Sequence, residues 1–232
     1  MQPFIVIIFI CLFLFLFFVY SLSREDFVLF RKSIPLEKVF NFVFITLAIS
    51  LFFARVVYVV FHFAPGFLNP LVFFIFPYFP GLSLAGGALG GMLFILLFAQ
   101  RYKLPTGRIF DIFSLSYVAT LPCLYLLEQI TLVLQKKHIM PFVLMASIVY
   151  IALYIFFFRL LEKNKFIDGS IGYMATLAAT SFIFLSKLLG PMTKSSFTLD
   201  PDDLLLIIVF FLSMLFLLQQ EKIMPNLKKL RR

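Results

Sequence analysis

Apolar runs close to 20 residues long recur along the whole chain, and the short segments between them hold nearly all of its charge. This alternation leaves few folds open. Inside a bilayer every backbone N–H and C=O must be satisfied within the protein, and an apolar run of about 20 residues achieves this as a spanning α-helix. With 62% hydrophobic and only 13% charged residues, and a mean hydropathy of +1.06, the chain has too little polar surface to face water on all sides. The expected fold is all-α: a single transmembrane domain covering residues 1–232. Seven spans are expected, at about 3–22, 38–63, 82–100, 109–134, 140–160, 170–189 and 203–219.

Charge placement supplies an orientation. Basic residues follow the odd-numbered spans, at Arg24, Arg31, Lys32 and Lys38, at Arg101, Lys103 and Arg108, at Arg159, Lys163 and Lys165, and in the C-terminal segment. Of the 20 Lys and Arg, only Arg55, Lys136, Lys137, Lys187 and Lys194 fall elsewhere. The positive-inside rule then puts the N-terminus outside and the C-terminus in the cytoplasm. Basic residues arranged this way meet anionic lipid head groups, so the net charge of +9 does not point to nucleic acid. The run Met1 to Tyr20 has no basic segment before it and is too long for the apolar core of a signal peptide, so it is expected to be an uncleaved first helix. Cys11 and Cys123 each lie inside an apolar run, where neither a disulfide nor a metal site is expected. No cofactor motif is present. Nothing matches HExxH or GxxxxGK[ST], which leaves metalloprotease and nucleotide-hydrolase readings without support.

Two stretches interrupt the pattern. Between Phe63 and Gly81 a proline-dotted, Phe-rich segment is too short to span and is expected to be interfacial or re-entrant. From Pro80 to Asp111 a glycine-dense start, PGLSLAGGALGG, leads into an apolar run and then a basic loop. Glycines cost helix propensity of about 1 kcal/mol each against alanine, so their density predicts a close approach by a neighbouring helix or a lipid.

Charged residues within spans are the candidates for chemistry, because burying one there costs about 2.5–3.5 kcal/mol on insertion scales. Arg55, Tyr58 and His62 share one helical face. Either they line a polar cavity where the guanidinium holds a lipid phosphate, or Arg55 snorkels and the two rings join the aromatic belt. Glu128 reads as a general base or a partner for Arg55, or equally as an interfacial carboxylate facing Lys136 or Lys137. Lys187 either pairs with Glu128 or snorkels. Asp111 is expected to cap its own helix or to pair with Arg108, and Asp202 and Asp203 suit a helix N-terminus. The segment Gly81-Leu82-Ser83-Leu84 begins like the serine motif of an intramembrane protease but lacks the following glycine and any well-placed histidine.

Several of these motifs resemble those of the bacterial prolipoprotein diacylglyceryl transferase family. That family carries G-R-I-x-Y-V-x-F, then an aspartate or asparagine before P-L, then G-x-S-x-H-G-G-x-x-G, then a basic loop and an aspartate that opens the next helix. The corresponding segments are Ala54-Arg55-Val56-Val57-Tyr58-Val59-Val60-Phe61, Asn69-Pro70-Leu71, Gly81-Leu82-Ser83-Leu84-Ala85-Gly86-Gly87-Ala88-Leu89-Gly90, and Phe98-Ala99-Gln100-Arg101 through to Asp111. The Gly169-Ser170-Ile171-Gly172-Tyr173 opening of the sixth span agrees more weakly. Departures are specific. The family's histidine is Ala85, and its G-R-L-G-N-F signature falls on Leu124-Tyr125-Leu126-Leu127-Glu128-Gln129. The arginine and glutamate of its sixth helix fall near Ile183 and Lys187.

The resemblance implies a seven-helix protein of the bacterial inner membrane that needs no cofactor. Its partners would be phosphatidylglycerol and the signal peptide of a prolipoprotein, and the diacylglyceryl group would pass to the lipobox cysteine. Arg55, His62, Ser83, Gly86 and Gly87 would bind lipid, with Glu128 and Tyr58 as the catalytic pair. A second reading stays open: a catalytically degenerate paralogue that binds lipid or lipoprotein.

Overall fold

The computed structural model describes residues 3–63, 67, 81–134, 141–163, 166–189 and 201–221. These form α1 (Pro3–Arg24), the short α2 (Phe27–Arg31), α3 (Leu36–Phe61), α4 (Leu84–Phe98), α5 (Thr106–Leu134), α6 (Pro141–Glu162), α7 (Ser170–Leu189) and α8 (Pro201–Gln220), with no strand among the described residues. Five of them, α1, α3, α5, α6 and α8, are long and apolar enough to cross a membrane. Helix α4 and the Ser170–Leu185 part of α7 are shorter apolar helices. At 1.5 Å per residue the 15 residues of α4 reach about 22 Å, short of a hydrocarbon core of about 30 Å. The chain is an all-helical, multi-pass membrane protein.

Helix α5 is the axis of the bundle. Within its apolar window 67% of residues are buried, against 17–28% for the other four long helices. It packs on α1, α6, α7 and α4, while α3 pairs with α4, and α8 with α7 and α4. The outward faces are apolar as well: Phe9, Phe13 and Phe17 form an exposed stripe along α1, as lipid contact requires.

The glycine cluster does what its composition predicts. Helices α3 and α4 run antiparallel, with Ser83 opposite Ala54 and Gly91 opposite Ser50. A Cβ on Gly86 would sit 2.7 Å from Val57, so only a glycine lets the two backbones come this close. Deeper in the bundle the pair is closed by Phe42 stacked on Phe94 with ring centroids 5.5 Å apart. The Phe-rich segment expected to be interfacial or re-entrant, together with Asn69-Pro70-Leu71, lies outside the described residues.

Candidate functional site

Arg55 is completely buried and points into the junction between α3 and the start of α4. Its Nη1 donates to the Gly81 carbonyl at 2.8 Å, and its Cζ lies 5.8 Å from the centre of the Tyr58 ring and 5.2 Å from that of Phe67. The charge is thus held by a carbonyl dipole and two ring faces. Gly81 (φ +154°) rests against the Tyr58 ring so closely that a Cβ would fall inside it. Tyr58 in turn stacks on His62, with centroids 4.5 Å apart and planes 16° apart, and the His62 ring is exposed. Arg55, Tyr58 and His62 therefore step from the interior to the surface along one helix face.

Ser83 ties three helices together. Its N–H donates to the Ala54 carbonyl of α3 at 3.0 Å, and its Oγ accepts the Gly86 N–H of α4 at 2.9 Å as a helix N-cap. The same hydroxyl donates to Asp202 Oδ1, in the first turn of α8, at 2.6 Å. Gly86 is covered by Val57, whereas Gly87 accepts from Ser50 Oγ at 2.7 Å and lines a central cavity.

That cavity, about 290 Å³, is bounded by α1, α3, α4, α5, α7 and α8. Four of its hydroxyl-bearing residues are turned away from it chemically. Thr46 donates to Phe42 O, Ser50 to Gly87 O, Thr120 to Tyr117 O and Thr180 to Thr176 O, all at 2.7–2.8 Å. With those protons engaged by backbone carbonyls, the wall suits an apolar guest. Leu124, where the family's polar signature would begin, is part of this wall. Tyr125, at the position of the family's arginine, stacks on Tyr150 with centroids 5.6 Å apart. Ala85, at the histidine position, is 2% exposed. Glu128 and Lys187 lie on α5 and α7, but their side chains fall outside the described ones, as do Lys136 and Lys137.

A second polar group gathers where α5 and α7 begin. Asp111 was expected to cap its own helix or to pair with Arg108, and it does neither. Its Oδ2 accepts the Gly169 N–H at 2.7 Å and its Oδ1 the Gly172 N–H at 2.6 Å, so it caps α7. The reason is proximity: the start of α7 crosses α5 so closely that a Cβ on Gly107 would overlap the Asp168 carbonyl oxygen. Arg108 instead pairs with Asp26 at 2.5 Å, and its Nη1 lies 4.0 Å from Asp168 Oδ1. Asp26 also caps α2 by accepting the Leu29 N–H at 2.9 Å. Ser170 donates to Glu221 at 2.5 Å, and Gln220 donates to the Asp168 carbonyl at 2.7 Å.

No curated protein matches the sequence. The family model described as prolipoprotein diacylglyceryl transferase matches residues 3–124, beginning in α1 and ending in α5. The match takes in Arg55, Tyr58, Ser83, the glycine face and Asp111, and it extends over more than half of the 232 residues. The chain belongs to the prolipoprotein diacylglyceryl transferase family.

Proposed function

We propose that the protein transfers the diacylglyceryl group of phosphatidylglycerol to the thiol of a lipobox cysteine in the bacterial plasma membrane. In this reading seven helices span the bilayer, with the N-terminus outside and Arg55 toward the outer leaflet. The observation that carries it is the apolar cavity beside the Arg55 junction, with Leu82, Gly87 and Gly91 in its wall. At about 290 Å³ it is near the lower edge of the usual ligand range of roughly 300–1,000 Å³, which suits part of an acyl chain. Arg55 holds the Gly81 carbonyl just before the Ser83 cap, and the Ser83 N–H donates to Ala54 beside Arg55, so a phosphate held near the acyl chains would arrive here. The thiol sulfur attacks the glyceryl carbon, the C–O bond to phosphate breaks, and glycerol phosphate leaves with the electron pair.

One observation favours the second reading, a lipid-binding paralogue without turnover. The family's histidine and arginine positions hold the buried Ala85 and the Tyr125–Tyr150 stack, which supply no positive charge to a phosphate. Complementation of a strain depleted of the transferase separates the two. Rescue that disappears on Arg55→Ala is the expected result. No rescue, with phosphatidylglycerol still bound by the purified protein, would give the paralogue reading the ground.

A further inference from the structure

The carboxylates for which the structure gives partners differ in how completely they are used. Asp26 holds Arg108 with one oxygen and the Leu29 N–H with the other. Asp111 spends both oxygens on backbone N–H groups. Asp202 and Glu221 are each held by one hydroxyl: Glu221 Oε1 by Ser170 Oγ at 2.5 Å, at the far end of α8, and Asp202 Oδ1 by Ser83 Oγ at 2.6 Å. Among the described residues no cation meets Asp202. It is also only partly buried, unlike Asp26 and Asp111.

Its position matters as much as its partner. Asp202 lies four residues before Leu206 and seven before Val209, both in the cavity wall, and this spacing puts all three on one face of α8. Ser83 directly follows Leu82, another wall residue. The hydroxyl–carboxylate pair is therefore next to wall residues on both helices and two residues along the chain from the Gly81 carbonyl that Arg55 holds.

We infer that Asp202, aimed by Ser83, accepts the proton of the incoming thiol. This rests on the transferase reading. The S–H proton passes to the Asp202 carboxylate as the C–S bond forms, the phosphate oxygen takes the electron pair of the broken C–O bond, and Asp202 then returns the proton to water. A carboxylate whose oxygens are already paired with arginine or backbone N–H groups has less room for a thiol proton, whereas Asp202 is held by the Ser83 hydroxyl on Oδ1 alone. Ser83 acts as a positioning residue.

The test uses the full chain in phosphatidylglycerol vesicles with a synthetic lipobox peptide, following single-turnover transfer. Asp202→Asn should slow transfer about 10²- to 10⁴-fold near pH 7. Most of that loss should be recovered near pH 9, because a thiol of ordinary pKa, about 8.5, then ionises unaided. Asp202→Glu should retain more activity than Asp202→Asn, and Ser83→Ala should fall less than tenfold without gaining from alkali. Wild-type transfer matched by Asp202→Asn, or an Asp202→Asn loss indifferent to pH, overturns the assignment and leaves the transferase reading standing. If Asp202→Asn does not fold, the Ser83→Ala arm decides: a loss as deep as about 10²-fold reduces the pair to a structural pin. Absence of wild-type transfer removes both.

Discussion

Asp111 and Asp202 are both carboxylates near helix N-termini, and α8 shows how far apart they work. Its first turn carries Asp202 against Ser83, while its last residues, Gln220 and Glu221, reach Asp168 and Ser170 beside Asp111. The 20 residues of α8 make a rod of about 30 Å, so the two clusters occupy opposite ends of the bundle. At the Asp111 end, Asp26 and Asp111 hold arginine or backbone N–H groups, Glu221 accepts from the Ser170 hydroxyl, and a smaller pocket of about 190 Å³ lies against Asp26 and Arg108. At the Asp202 end the larger, central cavity adjoins, and the carboxylate is held by one neutral hydroxyl. One end is mainly a fastening; the other sets a lightly held carboxylate beside the larger space.

The largest effect that would sharpen this contrast is expected at Arg108. Its removal leaves Asp26 buried without its cation, and breaking a buried pair costs about 3–5 kcal/mol. Arg108→Ala should therefore lower the melting temperature in detergent strongly, and adding Asp26→Asn should restore part of the loss by removing the stranded charge. If Arg108→Ala melts like wild type, the fastening is not where the geometry puts it.

A smaller effect is expected at Gly107. A methyl there meets the Asp168 carbonyl oxygen, a backbone atom that cannot swing aside, so α5 and α7 must separate. Overpacking of this kind costs about 1–3 kcal/mol, outweighing the gain of up to about 1 kcal/mol in helix propensity. Thermal unfolding of Gly107→Ala checks this directly.

How much of this the sequence discloses depends on the range of the interaction. Apolar runs are local, and the helices fall close to expectation: about 38–63 became Leu36–Phe61, and about 109–134 became Thr106–Leu134. The glycine density between Gly81 and Gly91 announces a close neighbour, and α3 is that neighbour. Pairings across the fold leave no such trace. Ser83 and Asp202 are separated by 119 positions, Arg108 and Asp26 by 82, and Asp111 and Gly172 by 61. Each of these residues looks complete in its own helix, as a cap or as a neighbour in sequence, until tertiary packing decides which donor comes within reach. One signal was legible in principle. The α7 start, Asp168-Gly169-Ser170, crosses α5 at a glycine with φ +104°, which leaves its first N–H groups in need of an acceptor from elsewhere.

The smallest stability effect, and the one that most directly sets the two ends against each other, is expected at Gly91. A Cβ there would meet Ser50 at 3.6 Å, an ordinary contact, in contrast to the backbone collision at Gly107. Replacing glycine by alanine in a helix gains up to about 1 kcal/mol, so Gly91→Ala should be neutral or slightly stabilising. Yet Gly91 lines the cavity, and the added methyl takes volume from a space of about 290 Å³. Gly91→Ala should therefore melt no lower than wild type while taking up less phosphatidylglycerol from mixed vesicles. A variant that melts several degrees lower would mean that Gly91, like Gly86, packs too tightly for a methyl, and the claim that the cavity has spare room at this wall would fail.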